Sequence, residues 1–282
     1  MNPIASLEHA SYRVHQRIWS AWARRRYRDD FDRVGCFSLF VGYPRSGHSL
    51  VGALLNAHRS AVVSHELDAP ELILDGCSRD VLYSRILARA YWFNLRGNTS
   101  NHVYQVPNQW QGRFVDLRVI GDKRGGAVTR CIAAHPDFLS RVRALVAVPL
   151  RLIHVVRNPF DNISAISIWH ELSLEDSVEF YFAHCRTTAT LGDLCGPGEL
   201  VTVYHEELLR RPERVLADLC DSLGLDRYPG YLEDCCSVLF KAPTHTRRKV
   251  AWSSSLVRDV ERRILAYRFL DGYVFGVQDE KV

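Results

Sequence analysis

Phe37-Ser38-Leu39-Phe40-Val41-Gly42-Tyr43-Pro44-Arg45-Ser46-Gly47-His48-Ser49-Leu50-Val51-Gly52-Ala53-Leu54-Leu55 decides the fold of this 282-residue chain. Phe37 to Val41 is a short apolar run. Leu50, Val51, Leu54 and Leu55 then recur at helical spacing, in a helix expected to end near His58. Between them Gly42 to Ser49 is one residue away from the phosphate-loop pattern GxxxxGK[ST], with His48 where the lysine belongs. Strand, turn and helix in this order aim backbone N–H groups and the positive end of a helix dipole at one point, where an anion is favoured. Gly47 permits close approach, Ser46 and Ser49 offer hydroxyls, and Arg45 adds a fixed charge with a planar fork of donors. The missing lysine counts against an ordinary nucleoside-triphosphate hydrolase, whose lysine reaches the β- and γ-phosphates.

Working outward, Leu150 to Val156 is a second apolar run, long enough for a buried parallel strand, and Glu199 to Tyr204 reads as a third. Asn158 offers a helix cap before Pro159, and Ser173-x-x-Asp176 resembles a capping box ahead of Val178, Tyr181, Phe182 and Cys185. Pro212 opens a helix carrying Val215, Leu216, Leu219 and Leu223 that stops at Gly224, and a last helix spans about 255 to 268. Residues 69 to 94 read as helical, and 95 to 118 show no period and suit loops over a pocket. Residues 6 to 28 read as an amphipathic helix with Leu7, Ala10, Val14, Ile18 and Trp22 on one side, ending in Arg24, Arg25, Arg26 and Arg28. Strands alternating with helices predict an α/β fold, a central parallel sheet with helices on both faces. Without repeats or a flexible linker, the division is an N-terminal helical segment over 1–35 and one domain over 36–282.

Hydrophobic residues make up 47% and charged residues 24% of the chain, which is ordinary globular usage and excludes disorder, collagen and coiled coil. A net charge of +4 is far from the dense positive stripe of a nucleic-acid binder but suits a pocket for an anionic small ligand. The eight cysteines form no CxxC pair, and neither His65-Glu66 nor His205-Glu206 extends to HExxH. The expectation is reduced thiols, no metal, no membrane span and a cytoplasmic protein.

Three segments now carry a resemblance. Tyr43 to Leu50 resembles the 5′-phosphosulfate loop of sulfotransferases that use 3′-phosphoadenosine 5′-phosphosulfate (PAPS), whose usual form is Pro-Lys-Ser-Gly-Thr. Val155-Val156-Arg157-Asn158-Pro159-Phe160-Asp161 looks like that family's 3′-phosphate motif. His205-Glu206-Glu207-Leu208, then Pro212 and Leu219 to Gly224, is similar to its Tyr-Glu-Asp-Leu…Pro…Leu-Cys-x-Phe-Leu-Gly stretch. The likeness runs from about 37 to 260 and implies a P-loop-like sulfotransferase fold, PAPS as donor and 3′-phosphoadenosine 5′-phosphate (PAP) as product. It also implies cofactor contacts from Arg45, Ser46, Gly47, His48, Ser49 and Leu50, with Arg157 on the 3′-phosphate. The family's serine eight residues beyond that arginine is Ala165 here, with Ser164 one place earlier. Arg248 and Lys249 match the basic segment that closes over the nucleotide, and His205 stands at an adenine-contacting position. His48 reads equally as a sulfonate contact, charged in place of the lysine, or as a cap on the first helical turn.

An alcohol acceptor loses a proton as it attacks, which calls for a carboxylate or histidine. The Thr-His-Leu-Pro stretch of phenol-type members is absent. Carbohydrate-type members carry a glutamate about 20 residues past the loop cation, and His65 and Glu66 lie 20 and 21 residues past Arg45. Gly121-Asp122-Lys123 is similar to the Gly-Asp-Lys-Thr-Pro segment of the same branch. Glu66 is thus the expected base, with His65 and Asp122 behind it. The expected reaction moves a sulfonate to a hydroxyl or amine of a small molecule or carbohydrate. A P-loop kinase-like phosphotransferase and a non-catalytic nucleotide-binding protein are the competing readings. Acceptor identity and oligomeric state are not legible.

Overall fold

The two apolar runs that bracket the phosphate-type loop and the Arg157 motif lie side by side. In the computed structural model, which describes residues 18–95 and 104–276, Cys36–Val41 (β1) and Leu150–Val156 (β4) pair in parallel. With Ala61–His65 (β2), Val119–Lys123 (β3) and Leu200–Tyr204 (β5) they form one five-stranded sheet, order β2-β3-β1-β4-β5, every pair parallel. The loops after β1, β3 and β4 therefore emerge at one end of adjacent strands, the usual place for a ligand in an open parallel sheet. β2 and β3 do not stand out as apolar runs because each is five residues long and turns polar at that end, in Ser64-His65 and Gly121-Asp122-Lys123.

Alternation along β1 divides the core. Phe37, Leu39 and Val41 face one layer, with Ile120, Leu152, Tyr83, Ile86 and Phe138. Cys36 and Phe40 face the other, with Leu54, Val63, Ile153, Leu216 and Tyr231. Burying such a side chain contributes about 1.5–3 kcal/mol, so the two layers hold the sheet without any disulfide, and all eight cysteines are free.

The loop helix, His48–Asn56 (α3), stops two residues before His58. The single helix expected over 69–94 is two, Ala69–Leu74 (α4) and Arg79–Leu95 (α5), because Gly76 at φ 74° ends the first. Of the N-terminal helix, residues 18–26 (α1) and Arg28–Phe31 (α2) are described, and Leu7, Ala10 and Val14 lie outside the described residues. Its apolar face is not the expected one: Ile18 and Trp22 are exposed, whereas Ala23 and Ser20 are buried and Trp19 stacks on Tyr91 of α5. Gly125–Ala134 (α6) and Phe138–Val146 (α7) follow β3. Pro159–His170 (α8) starts at Asn158, whose side chain accepts from Phe160 N, and Leu174–Leu194 (α9) starts at Ser173, which accepts from Asp176 N, as the capping signals predict. His205–Arg210 (α10), Pro212–Leu223 (α11), Pro229–Ser237 (α12) and Ser254–Ile264 (α13) complete the chain, α11 ending at Gly224 in the left-handed conformation. No described helix is long and apolar enough to cross a membrane.

Candidate active site

The loop after β1 and the turn after β4 share one cavity of about 330 Å³. Its walls carry Arg45, Gly47, His48, Ser49, Leu50, Arg157, His205 and Lys249, which brings together most of the residues expected to hold a nucleotide. Arg45 sits at φ 68°, a strained conformation for a residue with a side chain, and its guanidinium lies 4.2 Å over the Trp169 ring. Gly47 (φ 102°) is required twice over, since a Cβ there would also sit 2.6 Å from the His205 ring. The imidazole therefore closes over the loop.

Arg157 is 9% exposed and ties the site to the C-terminal segment. One Nη donates to Arg45 O (3.2 Å), the other to Thr244 O (2.7 Å) and Thr246 Oγ1 (2.9 Å), and its buried Nε faces no protein acceptor. A buried guanidinium donor left over beside a cavity fits an anionic ligand group. The basic 246–249 turn is held over the site by Asp161, which accepts from Arg247 N (2.8 Å).

Three of the expected nucleotide contacts, Ser46, Ser164 and Arg248, do not line this cavity. Ser164 is fully buried, donating to Phe160 O (2.7 Å) and accepting from Trp252 Nε1 (3.0 Å), while Ala165, one helical position on, lines the cavity. Its hydroxyl packs the helix and is not turned to a phosphate. Arg248 does not line the cavity, whereas Lys249 does. His48 also changes role. Burial first, then the Lys123 ammonium, lowers its pKa to about 3, so it is a neutral ring near neutral pH and does not replace the missing lysine charge.

A lysine does lie beside the loop: Lys123, at the end of β3, which sequence reasoning missed. Its ammonium, 1% exposed, lies 3.1 Å from Ser49 Oγ, 3.1 Å from His65 Nε2 and 2.9 Å from Glu66 Oε1. The signal was present in Gly121-Asp122-Lys123, but it was read one residue off. Successive strand residues point to opposite sides, so Asp122 and Lys123 cannot both face the loop. Asp122 faces away and is fully buried, accepting from Ser64 Oγ (2.7 Å), Leu67 N (3.0 Å) and Ala69 N (3.1 Å). It frames the turn that carries Glu66 and faces away from the loop.

Glu66 and His65, though neighbours in sequence, converge on Lys123 because Glu66 turns back at φ 57°. Burial pulls the Glu66 carboxyl upward, but the ammonium beside it prevails and holds it below the ordinary carboxylate value. Burial and Lys123 together lower His65 to about 4, leaving a neutral ring stacked on Phe93 with centroids 4.1 Å apart. A second, small cavity of about 30 Å³ opens here, lined by His65, Lys123, Phe93, Asn94 and Gln111. Ser49 and Tyr104 line both cavities. Among the described residues no group of three His, Cys, Asp or Glu is placed to hold a metal ion.

A parallel sheet with a glycine-serine loop after its central strand, a buried arginine after the next and a lysine–carboxylate pair alongside defines an α/β protein of the P-loop-like kind. The profile of the sulfotransferase family matches residues 39–229, and the chain belongs to that family. No curated protein sequence matches it. Among solved structures, the sulfotransferase domain of the Synechococcus PCC 7002 olefin synthase superposes with a TM-score of 0.55 at 16% identity, covering 83% of this chain and 96% of that one. A sulfotransferase of Alicyclobacillus acidocaldarius gives 0.48 at 15% identity over 84% and 95%. Mouse sulfotransferase SULT7A1, complexed with PAP, gives 0.45 at 12% over 82% and 84%. The Synechococcus likeness shows the fold: a five-stranded parallel sheet flanked by helices.

Proposed function

We propose that the chain is a PAPS-dependent sulfotransferase that moves a sulfonate group to a hydroxyl or amine of a small-molecule or carbohydrate acceptor. The observation that carries this is the meeting of two cavities at Ser49, which lines both: one is lined by Arg45, Arg157 and Lys249, the other by Lys123 and His65. The nucleotide fits the first, where Gly47, Arg45 and Ser49 would hold its 5′ end, and Arg157 with Lys249 its 3′-phosphate. When bound, PAPS supplies an activated sulfonate.

The chain's own residues do the rest. Lys123 and Arg45 are fixed cations set before any negative charge develops at the leaving oxygen, so little reorganisation is needed at the moment of transfer. Arg45 keeps its proton throughout and stabilises charge without acting as an acid. Glu66 takes the acceptor's proton. An anion that draws Lys123 toward Ser49 weakens the pair with Glu66 and raises the carboxylate's affinity for that proton, which links donor binding to base strength.

The test is ligand choice followed by turnover. PAP should raise the melting temperature without magnesium, by the equivalent of about 2.7 kcal/mol at 100 times Kd, and ATP at the same concentration should do much less. Radiolabelled sulfonate should then move from PAPS to an acceptor in a panel of phenols, sugars and amines. A larger stabilisation by magnesium-ATP than by PAP would turn the reading toward a kinase-like phosphotransferase.

A further inference from the structure

A groove of about 530 Å³ lies outside this site, along the edge of the sheet that no described strand covers. β5 ends the strand order, and its residues are largely half-exposed, whereas β1 and β3 are buried throughout. In a parallel ladder the N–H and C=O of one residue point to the same side and those of the next to the other. Glu199 O accepts from Leu152 N of β4 (2.7 Å), so the backbone groups of Thr202, three residues on, point away from the sheet. Val201, Val203, Val215 and Leu219 give the groove an apolar floor.

Its rim is cationic. The turn from α10 to α11 brings exposed Arg210, Arg211 and Arg214 to the groove, against the carboxylates of Glu207 and Asp218 at 3.6 to 3.9 Å. At the far end Arg151 binds the carbonyl of Ser222, another residue of the lining. Three guanidiniums on the rim against two surface carboxylates leave it net positive and favour an anionic occupant.

We propose that this groove docks an extended acidic segment of a partner protein, which adds as a further strand beside β5. An open edge strand supplies the backbone hydrogen bonds, the apolar floor takes alternate side chains, and the arginines read the acidic ones between them. A second copy of this chain is disfavoured, since it would bring the same arginine cluster to its own interface.

The probe is a fluorescent peptide of about eight residues alternating valine and glutamate, followed by anisotropy. Saturable binding is expected, weakened about tenfold by Thr202→Pro, which removes one outward N–H that the β4 ladder does not use. Arg210→Glu with Arg214→Glu should weaken it by at least as much, and a valine–lysine peptide should not bind. The PAP-induced rise in melting temperature should be the same in each variant, which separates this proposal from the reading of the catalytic site. Should Thr202→Pro fail to fold, a peptide N-methylated at alternate residues tests the same hydrogen bonds from the partner's side. Absence of saturable binding, equal binding by the N-methylated peptide, or tighter binding by single-stranded RNA that displaces the peptide would each overturn the proposal. In the first case the arginines only guard the edge.

Discussion

Lys123 places an ammonium, 1% exposed, where Ser49, His65 and Glu66 meet, and it holds Glu66 down and adds to what burial does to His65. Lys123→Met keeps most of the volume and removes the ammonium. Turnover should fall by about 10²- to 10³-fold, the scale of one lost fixed donor. The Glu66 carboxyl should also rise, because burial then acts on it unopposed. The acid limb of the pH profile should move upward in that variant, and an unmoved limb would show that another group governs it. In the wild type that limb lies below the ordinary carboxylate value, and no limb should appear near pH 6.5, since His48 and His65 are held at about 3 and about 4. Glu66→Gln should lower turnover by about 10²- to 10⁴-fold with PAP affinity within a factor of a few. His65→Ala should lower turnover as well, because its ring shares Lys123 with Glu66. Arg157→Ala should weaken PAP much more than adenosine 5′-phosphosulfate, by about ten- to a hundredfold, the loss of one charge-assisted contact. Equal losses for both ligands would remove Arg157 from the 3′-phosphate.

Between elements, close packing decides more than propensity. Gly121 of β3 lies so near β1 that a Cβ would land on Ser38, in a conformation otherwise open to any residue. Gly121→Ala should force the central strands apart and unfold the protein at lower denaturant, with PAP failing to restore the wild-type midpoint. Ser164→Ala makes the contrasting case. It removes a hydroxyl that joins α8 to Trp252, so the midpoint should drop by the equivalent of about 1 kcal/mol while PAP affinity stays unchanged. A tenfold loss of PAP affinity would return Ser164 to the phosphate. The left-handed Arg45, Glu66 and Asp68 all lie in the two loops that build the site. Such conformations persist only where surrounding contacts over-determine them, here Arg157 on Arg45 O and Asp122 on the 67–69 turn.

At the scale of the whole molecule, buried His48 and half-buried His65 and His205 are neutral near pH 7, with values lowered to about 3, 4 and 3. Unfolding frees them to titrate near 6.5, so the unfolded chain binds more protons. Stability is fully present above about pH 6.5 and declines as pH falls toward 3. The melting temperature should therefore drop from pH 7 to pH 5, and a flat profile would mean that these rings are charged in the folded state. What the sequence by itself determined follows from local physics. Apolar runs mark β1 and β4, glycine and serine mark the loop, and Asn158, Ser173 and Gly224 cap helices through contacts within a few residues. Short β2 and β3 escaped because burial, not pattern, makes them strands. Only the tertiary structure decided between Asp122 and Lys123, between Ser164 and Ala165, and whether His48 carries a charge. Those outcomes turn on which side a strand presents, one step around a helix, and how much water a fold removes, none of which a residue's sequence neighbours set.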